Sequence, residues 1–381
     1  MPVDLFARTR PDSELHPNFL LVRDDVRNSP ARDMLREVTS EMDDPDGNLV
    51  EQFQTTGFDA RTFEVYLHAM LRAEGHSIDR SHDRPDFLIE RDGVRVAVEA
   101  VTSNPQPVPE YQPYQAVGAP TASDMAGIVH YLTNEVQIRM GSPIYSKLKK
   151  RYWDLPHVRG LPFVIAFQPF HAPGSLGLSS TSLANLLMGI EHSHRFVDGR
   201  LVVEASPIAE HIGSKRIPSG FFASAGAEHI SAVLFCNAGT IPKFNRLGRQ
   251  AGYSPGTVRL IRHGTCLDHD PDSPVHDIFA YEVAARGSPV EPWRDGAVII
   301  HNPHAAIPLP AEWFGAMCEE ALGDGGTVVT TKRDRLLPFR SLTTVAPGDA
   351  PDSLIRYNIE LALARLRQEQ RLSSGGWHAR L

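Results

Sequence analysis

The sequence predicts a mixed α/β fold, in which helices flank a central mixed sheet. Three observations support this class. Apolar residues between 63 and 71 recur at the spacing of an amphipathic helix, residues 86–101 read as two strands around a tight turn, and the apolar runs "LPFVIAF" and "ISAVLFCN" are separated by a helical pattern. Alternation of helices and buried strands is typical of a sheet that helices cover.

Length and composition narrow the class of protein. The chain has 381 residues, of which 41% are hydrophobic, and this is enough for a large core without disulfides. Its three cysteines are far apart in sequence, which argues against a disulfide framework, and no basic leader or apolar run of about eighteen residues occurs. We therefore expect a cytoplasmic protein with no membrane partner; the oligomeric state stays open.

The first 55 residues are polar and rich in proline and aspartate, and we expect them to form an N-terminal extension. They carry one helical pattern, "SPARDMLREVTSEM", with Ser29-Pro30 as its start. A second helix follows, which Asp59 can cap and which Gly75 ends. Its apolar stripe consists of Phe63, Tyr66, Leu67, Met70 and Leu71.

Residues 85–101, "PDFLIERDGVRVAVEAV", predict a β-hairpin. Asp92-Gly93 is the dipeptide preferred by a two-residue type I′ turn. In the register that this turn sets, paired residue numbers sum to 185, so Asp86 lies opposite Glu99 with Cβ atoms roughly 5 Å apart. One face of the hairpin is then wholly apolar, and the two carboxylates share the other face.

Carboxylates that face each other across a strand pair repel and destabilise the sheet. A divalent cation, a shared proton or a basic side chain could offset this repulsion. Mg²⁺ (or Mn²⁺) suits the pair because Mg²⁺ takes one or two carboxylates and completes its shell with water and phosphate oxygens. The alternative is structural: one acid bonds a neighbouring backbone group or a lysine, or the face is simply solvated.

The later patterns predict the elements that follow the hairpin. A proline-rich loop is expected at 104–122. Helices are expected at 123–140, 143–152, 180–191, 311–322 and 352–370. Strands are expected at 161–167, 230–237, 257–262, 278–284 and 296–301. We divide the chain into a core of residues 56–240 and a C-terminal α/β extension of residues 241–381 packed on that core.

The first part of this pattern resembles the PD-(D/E)xK (restriction-endonuclease-like) nuclease superfamily. The matching positions are Glu64 in a helix, Pro85-Asp86-Phe87 in the first strand and Glu99-Ala100-Val101 at the end of the second, within roughly residues 59–168. The resemblance implies a restriction-endonuclease-like core and Mg²⁺-dependent hydrolysis of phosphodiester bonds. It implies that Asp86 and Glu99 hold the metal, and that Glu64 holds a second metal or a water.

One position departs from the pattern of that superfamily. Val101 stands where the superfamily has a lysine. In the superfamily this lysine migrates to other elements, and the helix "SPIYSKLKKRYW" offers three candidates, of which Lys147 borders the buried side of the helix. The resemblance implies that Lys147 orients the attacking water or stabilises negative charge; the alternative is a surface lysine beside a core helix.

Two basic clusters interrupt the acidic balance of the chain, whose formal net charge is −8. One contains Lys149 and Lys150; the other contains Lys243, Arg246 and Arg249, interleaved with aromatic residues. We expect these five side chains to contact nucleic acid; a solvated face is the alternative, and for the second cluster it is an equal one. Two hypotheses follow: a metal-dependent nuclease acting on DNA or RNA, or an inactive protein of the same fold that binds nucleic acid or protein.

Overall fold

The computed structural model describes residues 3–44, 47–105, 125–172, 174–270, 272–273, 275–334 and 336–378. Over these ranges the protein has a mixed α/β fold with a large mixed sheet, as the sequence predicts. The expected proline-rich loop lies outside the described residues from position 106 onward.

The helices agree with most of the expected ranges. Their bounds are Pro17–Asp24 (α1), Ser29–Ser40 (α2), Leu49–Gln54 (α3), Phe58–Ala73 (α4), Met125–His130 (α5), Val136–Leu148 (α6), Thr181–Met188 (α7), Ile241–Gln250 (α8) and Asp352–His378 (α9). A proline in the first turn favours the start of α2 because its missing N–H has no helical partner there. Beyond α4, Gly75 adopts a positive φ of 85°, which ends the helix.

The strands include several that the sequence patterns do not predict. Their bounds are Ser77–Asp79 (β1), Phe87–Arg91 (β2), Val94–Ser103 (β3), Phe163–Pro169 (β4), Ile190–Val197 (β5), Arg200–Pro207 (β6), Glu210–Ile212 (β7), Arg216–Pro218 (β8), Ala232–Cys236 (β9), Val258–Cys266 (β10), Asp277–Glu282 (β11), Ala297–His301 (β12), Cys318–Leu322 (β13), Val328–Lys332 (β14) and Pro338–Pro347 (β15).

Within the described residues, eight strands form the main sheet in the order β1-β2-β3-β4-β9-β12-β13-β14. β3, β4 and β9 are parallel, as are β12 and β13, and the remaining neighbours are antiparallel. Three of the strands after residue 240, β12, β13 and β14, therefore extend the sheet that contains the hairpin. A smaller antiparallel sheet, β11-β10-β15, packs against α9 through Ile261, Ala346 and Ile355.

Each face of the main sheet carries its own hydrophobic core. Phe87, Ile89, Val96 and Val98 point into the first core, which α2 and α4 cover; the N-terminal segment also supplies Phe19 and Phe53 to it. Leu88, Ala97 and Val101 point into the second core, which α6 and α7 cover. This division follows the two-residue period of a strand. The acid pair belongs to the face that α6 covers.

Two of the expected helices differ in the structure. The segments expected at 123–140 and 143–152 form one helical stretch that continues through Pro143, with a π-helical turn at Tyr131–Glu135. Pro143 cannot donate to the carbonyl oxygen of Arg139, but the Ser103 hydroxyl donates to that oxygen instead at 2.8 Å. The side chain of a neighbouring strand therefore allows a proline inside this helix.

The helix expected at 311–322 is wrong. Residues 318–322 form β13, which pairs with β12 on one side and β14 on the other. Upstream, Glu312 and Gly315 adopt positive φ angles of 58° and 87°, which a helix does not allow. Strand pairing on both sides outweighs the helical preference of the local sequence.

Gly248 on α8 makes a close contact with α2 that gives a testable prediction. A Cβ atom at this position would lie 2.2 Å from the carbonyl oxygen of Pro30. We expect Gly248→Ala to lower the free energy of unfolding by about 1–3 kcal/mol, because the two helices must separate. Gly256→Ala is the control, because a Cβ atom added at Gly256 would meet no other atom within 4 Å. It should change the free energy of unfolding by less than about 0.5 kcal/mol. Equal urea midpoints for the two variants would contradict this packing.

Candidate functional site

The β2–β3 hairpin places the two candidate acids. Asp92 and Gly93 both adopt positive φ angles, 53° and 76°, as a type I′ turn requires. Phe87 pairs with Val98, and all paired numbers sum to 185, so the predicted register is confirmed. By continuation of that register, Asp86, which immediately precedes β2, faces Glu99.

Asp86 and Glu99 have different partners. Asp86 Oδ2 accepts a hydrogen bond of 2.7 Å from the backbone N–H of Ala100, which fixes the carboxylate at the start of β2. Glu99 accepts a hydrogen bond from Lys147 Nζ. The Glu99 side chain is 5% exposed and that of Lys147 is 28% exposed, so the lysine joins a buried acid to the surface.

Burial and neighbouring charges shift the pKa values of both partners in the Lys147–Glu99 pair. Burial raises the pKa of Glu99 to about 8, and the neighbouring Asp86 adds to this rise, whereas Lys147 opposes it. Burial disfavours the charge on Lys147, but the Glu99 partner outweighs burial and the pKa of Lys147 is raised. A basic side chain, one of the partners expected from the sequence, therefore offsets the repulsion between the acids.

Glu64, on α4, lies within electrostatic range of Asp86. Its carboxylate is bound by Arg61 Nη1 at 2.6 Å, and Arg80 Nη2 lies 3.6 Å away. Burial raises the pKa of Glu64 to about 7, and the charge on Asp86 adds to this rise, while both arginines oppose it. The Arg80 guanidinium in turn stacks over Phe87, with its Cζ 5.2 Å from the ring centroid. Glu64 therefore lies near Asp86, but its carboxylate is already paired with Arg61.

The side chains at this site offer few ligands to a metal ion. Asp86 and Glu99 supply two carboxylates on one face, the number that Mg²⁺ takes from proteins when water and phosphate oxygens complete its shell. In the part of the chain that the structure describes, no three histidine, cysteine or acidic side chains are grouped so as to hold a metal ion. A cation at this pair would therefore depend on water and substrate for its other ligands.

The five side chains expected to contact nucleic acid separate into three groups. Lys149 and Lys150 are exposed just beyond α6. Arg249 is half-buried and donates to the carbonyl oxygen of Tyr253 at 2.8 Å.

The structure places Lys243 and Arg246 in the interior, contrary to the expectation that they contact nucleic acid. Arg246 pairs with Glu291 at 2.6 Å, and Lys243 Nζ lies 3.2 Å from the same carboxylate. A side chain enclosed and paired in this way cannot reach a phosphate. The basic pattern of this segment therefore reflects an interior ion cluster at these two positions.

Several residues at the site were not anticipated from the sequence. The Arg61–Glu64 pair has the i,i+3 spacing of a helical ion pair, so a scan for such pairs would have found it. Tyr152 lies beside Lys147, whose Nζ is 5.9 Å from the tyrosine ring centroid. Arg80 follows β1 in an irregular segment, and no local pattern indicates that it folds back onto Glu64.

No family model matches this chain, and the comparisons with curated proteins and with solved structures also found no match. The function must therefore be argued from the site itself. Across the described ranges, no helix combines the length and apolar composition needed to cross a lipid bilayer.

Proposed function

We propose that the protein is a Mg²⁺-dependent nuclease-like enzyme, with a restriction-endonuclease-like core, that hydrolyses phosphodiester bonds of DNA or RNA. One observation carries the proposal: Lys147, which is 48 residues away in sequence, reaches the Glu99 carboxylate on the strand face that also bears Asp86. Two acids and a lysine at one point form a set that phosphodiester hydrolysis can use, because the reaction develops negative charge on the phosphoryl group.

Each residue of the set has a defined part in this proposal. Asp86 and Glu99 would hold the metal, and when bound there Mg²⁺ supplies Lewis-acid chemistry by polarising a phosphoryl oxygen. Lys147 donates hydrogen bonds to the phosphoryl group and stabilises the charge that develops on it. The backbone N–H of Ala100 keeps the Asp86 carboxylate oriented. Glu64 has a secondary role, because it must leave Arg61 before it can act on water or a second metal.

The second candidate is a protein of this fold that binds nucleic acid or protein without cutting. The observation that favours it is that Lys147 already pairs with Glu99 and offsets the repulsion between the acids, so the fold needs no metal ion at this place. Val101 in place of the superfamily lysine also supports this candidate.

The test is a cleavage assay on labelled single-stranded and double-stranded DNA and RNA, with Mg²⁺, with Mn²⁺ and with chelator. We expect metal-dependent cleavage that Asp86→Asn and Glu99→Gln abolish. Glu90→Gln is the matched control because Glu90 lies on β2 at the surface, 3.6 Å from Arg95. Calorimetric Mg²⁺ titration should show binding that Asp86→Asn removes. Metal-independent cleavage, or cleavage that survives both acid substitutions, would contradict the proposal.

We also place this activity in the cytoplasm. All three cysteines are free and buried. Unpaired buried thiols are typical of proteins from reducing compartments, which supports this location.

A further inference from the structure

Two histidines form a flat aromatic surface beside the candidate site. The rings of His82 and His157 stack with centroids 3.8 Å apart and an angle of 5° between their planes. His82 is exposed and His157 is half-buried. We call this stacked pair the imidazole platform. His82 belongs to the segment that leads into Asp86, and His157 belongs to the segment after α6.

A backbone contact holds the imidazole platform in place. His157 Nε2 donates a hydrogen bond of 2.6 Å to the carbonyl oxygen of Arg84, two residues before Asp86. This bond joins the segment after α6 to the segment that enters β2. A molecule that lies on the platform therefore contacts a segment that continues directly into Asp86.

Tyr152 connects the imidazole platform with the catalytic candidates. Burial raises the pKa of its phenol, and Glu99 adds to this rise, whereas Lys147 and Arg84 lower it. Lys147 Nζ lies 5.9 Å from the centroid of the tyrosine ring, and Tyr152 precedes His157 by five residues in the same segment. This segment therefore runs from the lysine of the candidate site to the platform.

The two segments that carry the imidazole platform are rich in exposed cations, although the chain as a whole is acidic. Arg84 is exposed on the segment of His82, Lys149 and Lys150 are exposed on the segment that leads from α6 to His157, and Asp154 is bound by Arg151 at 2.8 Å. Exposed cations interleaved with aromatic rings suit a nucleic-acid backbone, because cations attract phosphates while rings stack with bases. The exposed acids in these two segments are Asp83 and Asp154.

We propose that the imidazole platform binds an unpaired base, and that the substrate of this site is single-stranded nucleic acid. This inference rests on the proposed function for the adjoining acid pair. The base of a nucleotide beside the scissile phosphate stacks on His82, while Arg84 and Lys150 contact the neighbouring phosphates. A base in a duplex is already stacked between its neighbours and cannot lie on an aromatic ring without leaving the helix.

The partial burial of the acid pair points to the same substrate class. Glu99 is 4% exposed and Asp86 is half-buried, so a phosphate meets the pair on the side where Asp86 and Lys147 reach the surface. A flexible single strand can bend its backbone to meet such a site, whereas a stiff duplex must first deform at an energetic cost.

The test measures binding without cleavage. Fluorescence anisotropy in chelator compares a labelled single-stranded oligonucleotide with the duplex of the same sequence, using the full-length chain. We expect tighter binding of the single strand. His82→Ala and His157→Gln should each weaken it at least about fivefold, as loss of base stacking does. The glutamine amide can still donate to the Arg84 carbonyl, so His157→Gln removes the ring and keeps the backbone contact. Melting temperatures equal to wild type confirm that both variants fold.

His194→Ala on the exposed β5–β6 hairpin is the matched control and should bind like wild type. Equal affinity for duplex and single strand, absence of single-strand binding, or wild-type affinity in both platform variants would each overturn the inference. Because the assay contains no metal, its outcome is independent of turnover. Metal-dependent cleavage of duplex alone would support the proposed function and overturn this inference. Platform-dependent binding of single strands without any cleavage would support this inference and contradict the proposed function.

Discussion

Replacing Glu291 with glutamine is expected to lower the free energy of unfolding by about 3–5 kcal/mol. Glu291 is the common partner in a buried cluster of three cations and two carboxylates, each with at most 3% of its side chain exposed. Without its charge, the three cations share one carboxylate in the interior, and unpaired buried charge is costly. The members of the cluster are Lys243, Arg246, Arg262, Glu291 and Asp295.

A matched control separates burial from pairing. Glu282 is also bound by an arginine through two hydrogen bonds, 2.6 and 2.8 Å from Arg259, but its side chain is 20% exposed. Glu282→Gln should therefore cost only about 0–1 kcal/mol. Urea unfolding of the two variants at pH 7 measures both values. A cost for Glu291→Gln no larger than that for Glu282→Gln would show that the cluster does not stabilise the fold as we infer.

The same carboxylate predicts a dependence on pH. Burial opposes ionisation of Glu291, but Arg246, Arg262 and Lys243 outweigh it and hold the pKa of this carboxyl far below its ordinary value of 4.5. A depressed pKa in the folded state means that the stabilisation is present above pH 4.5 and is lost as pH falls below it. The difference in stability between wild type and Glu291→Gln should therefore shrink as the solution is acidified below that value.

Replacing Lys147 with methionine is expected to reduce the rate of metal-dependent cleavage about 10²–10³-fold, because one electrostatic donor to the phosphoryl group is lost. Mg²⁺ binding measured by calorimetry should persist, since both carboxylates remain. Lys149→Met is the control, because Lys149 is exposed and two residues away. Single-turnover rates at saturating substrate measure the chemical step directly.

Val101 provides a rescue experiment for the same prediction. It lies two residues beyond Glu99 on the same strand face, where the superfamily pattern has its lysine. If Lys147 has taken over that role, the double variant Lys147→Met, Val101→Lys should recover part of the lost rate. Full activity of Lys147→Met alone would show that Lys147 has no role in the chemical step.

The hairpin is the part of the site that the sequence predicts best. An Asp-Gly turn and a two-residue alternation are local patterns, so the register and the face of each side chain follow from about seventeen residues. The preference for Lys147 over its neighbours also follows locally, because the apolar stripe of the helix defines its buried side. Lys150, on the opposite side, is exposed as expected.

The basic segment around α8 is where local reasoning fails. Lysine and arginine interleaved with glycine and aromatic residues resemble a nucleic-acid surface, and only Glu291, 45 residues away from Arg246, reveals that they belong to the interior. Local reasoning also fails at residues 318–322. This segment forms a strand because it pairs with β12 and β14, and such pairing partners cannot be recognised from the neighbouring residues in the sequence.

The sequence by itself determined which side chains share a face, because the period of a strand or a helix acts over a few neighbouring residues. The tertiary structure decided which opposite charge each buried acid meets, since that depends on how distant elements pack. Lys147 meets Glu99 across 48 residues, and Arg246 meets Glu291 across 45. A buried carboxylate must find a donor or keep its proton, so these long-range choices determine the chemistry available to each acid.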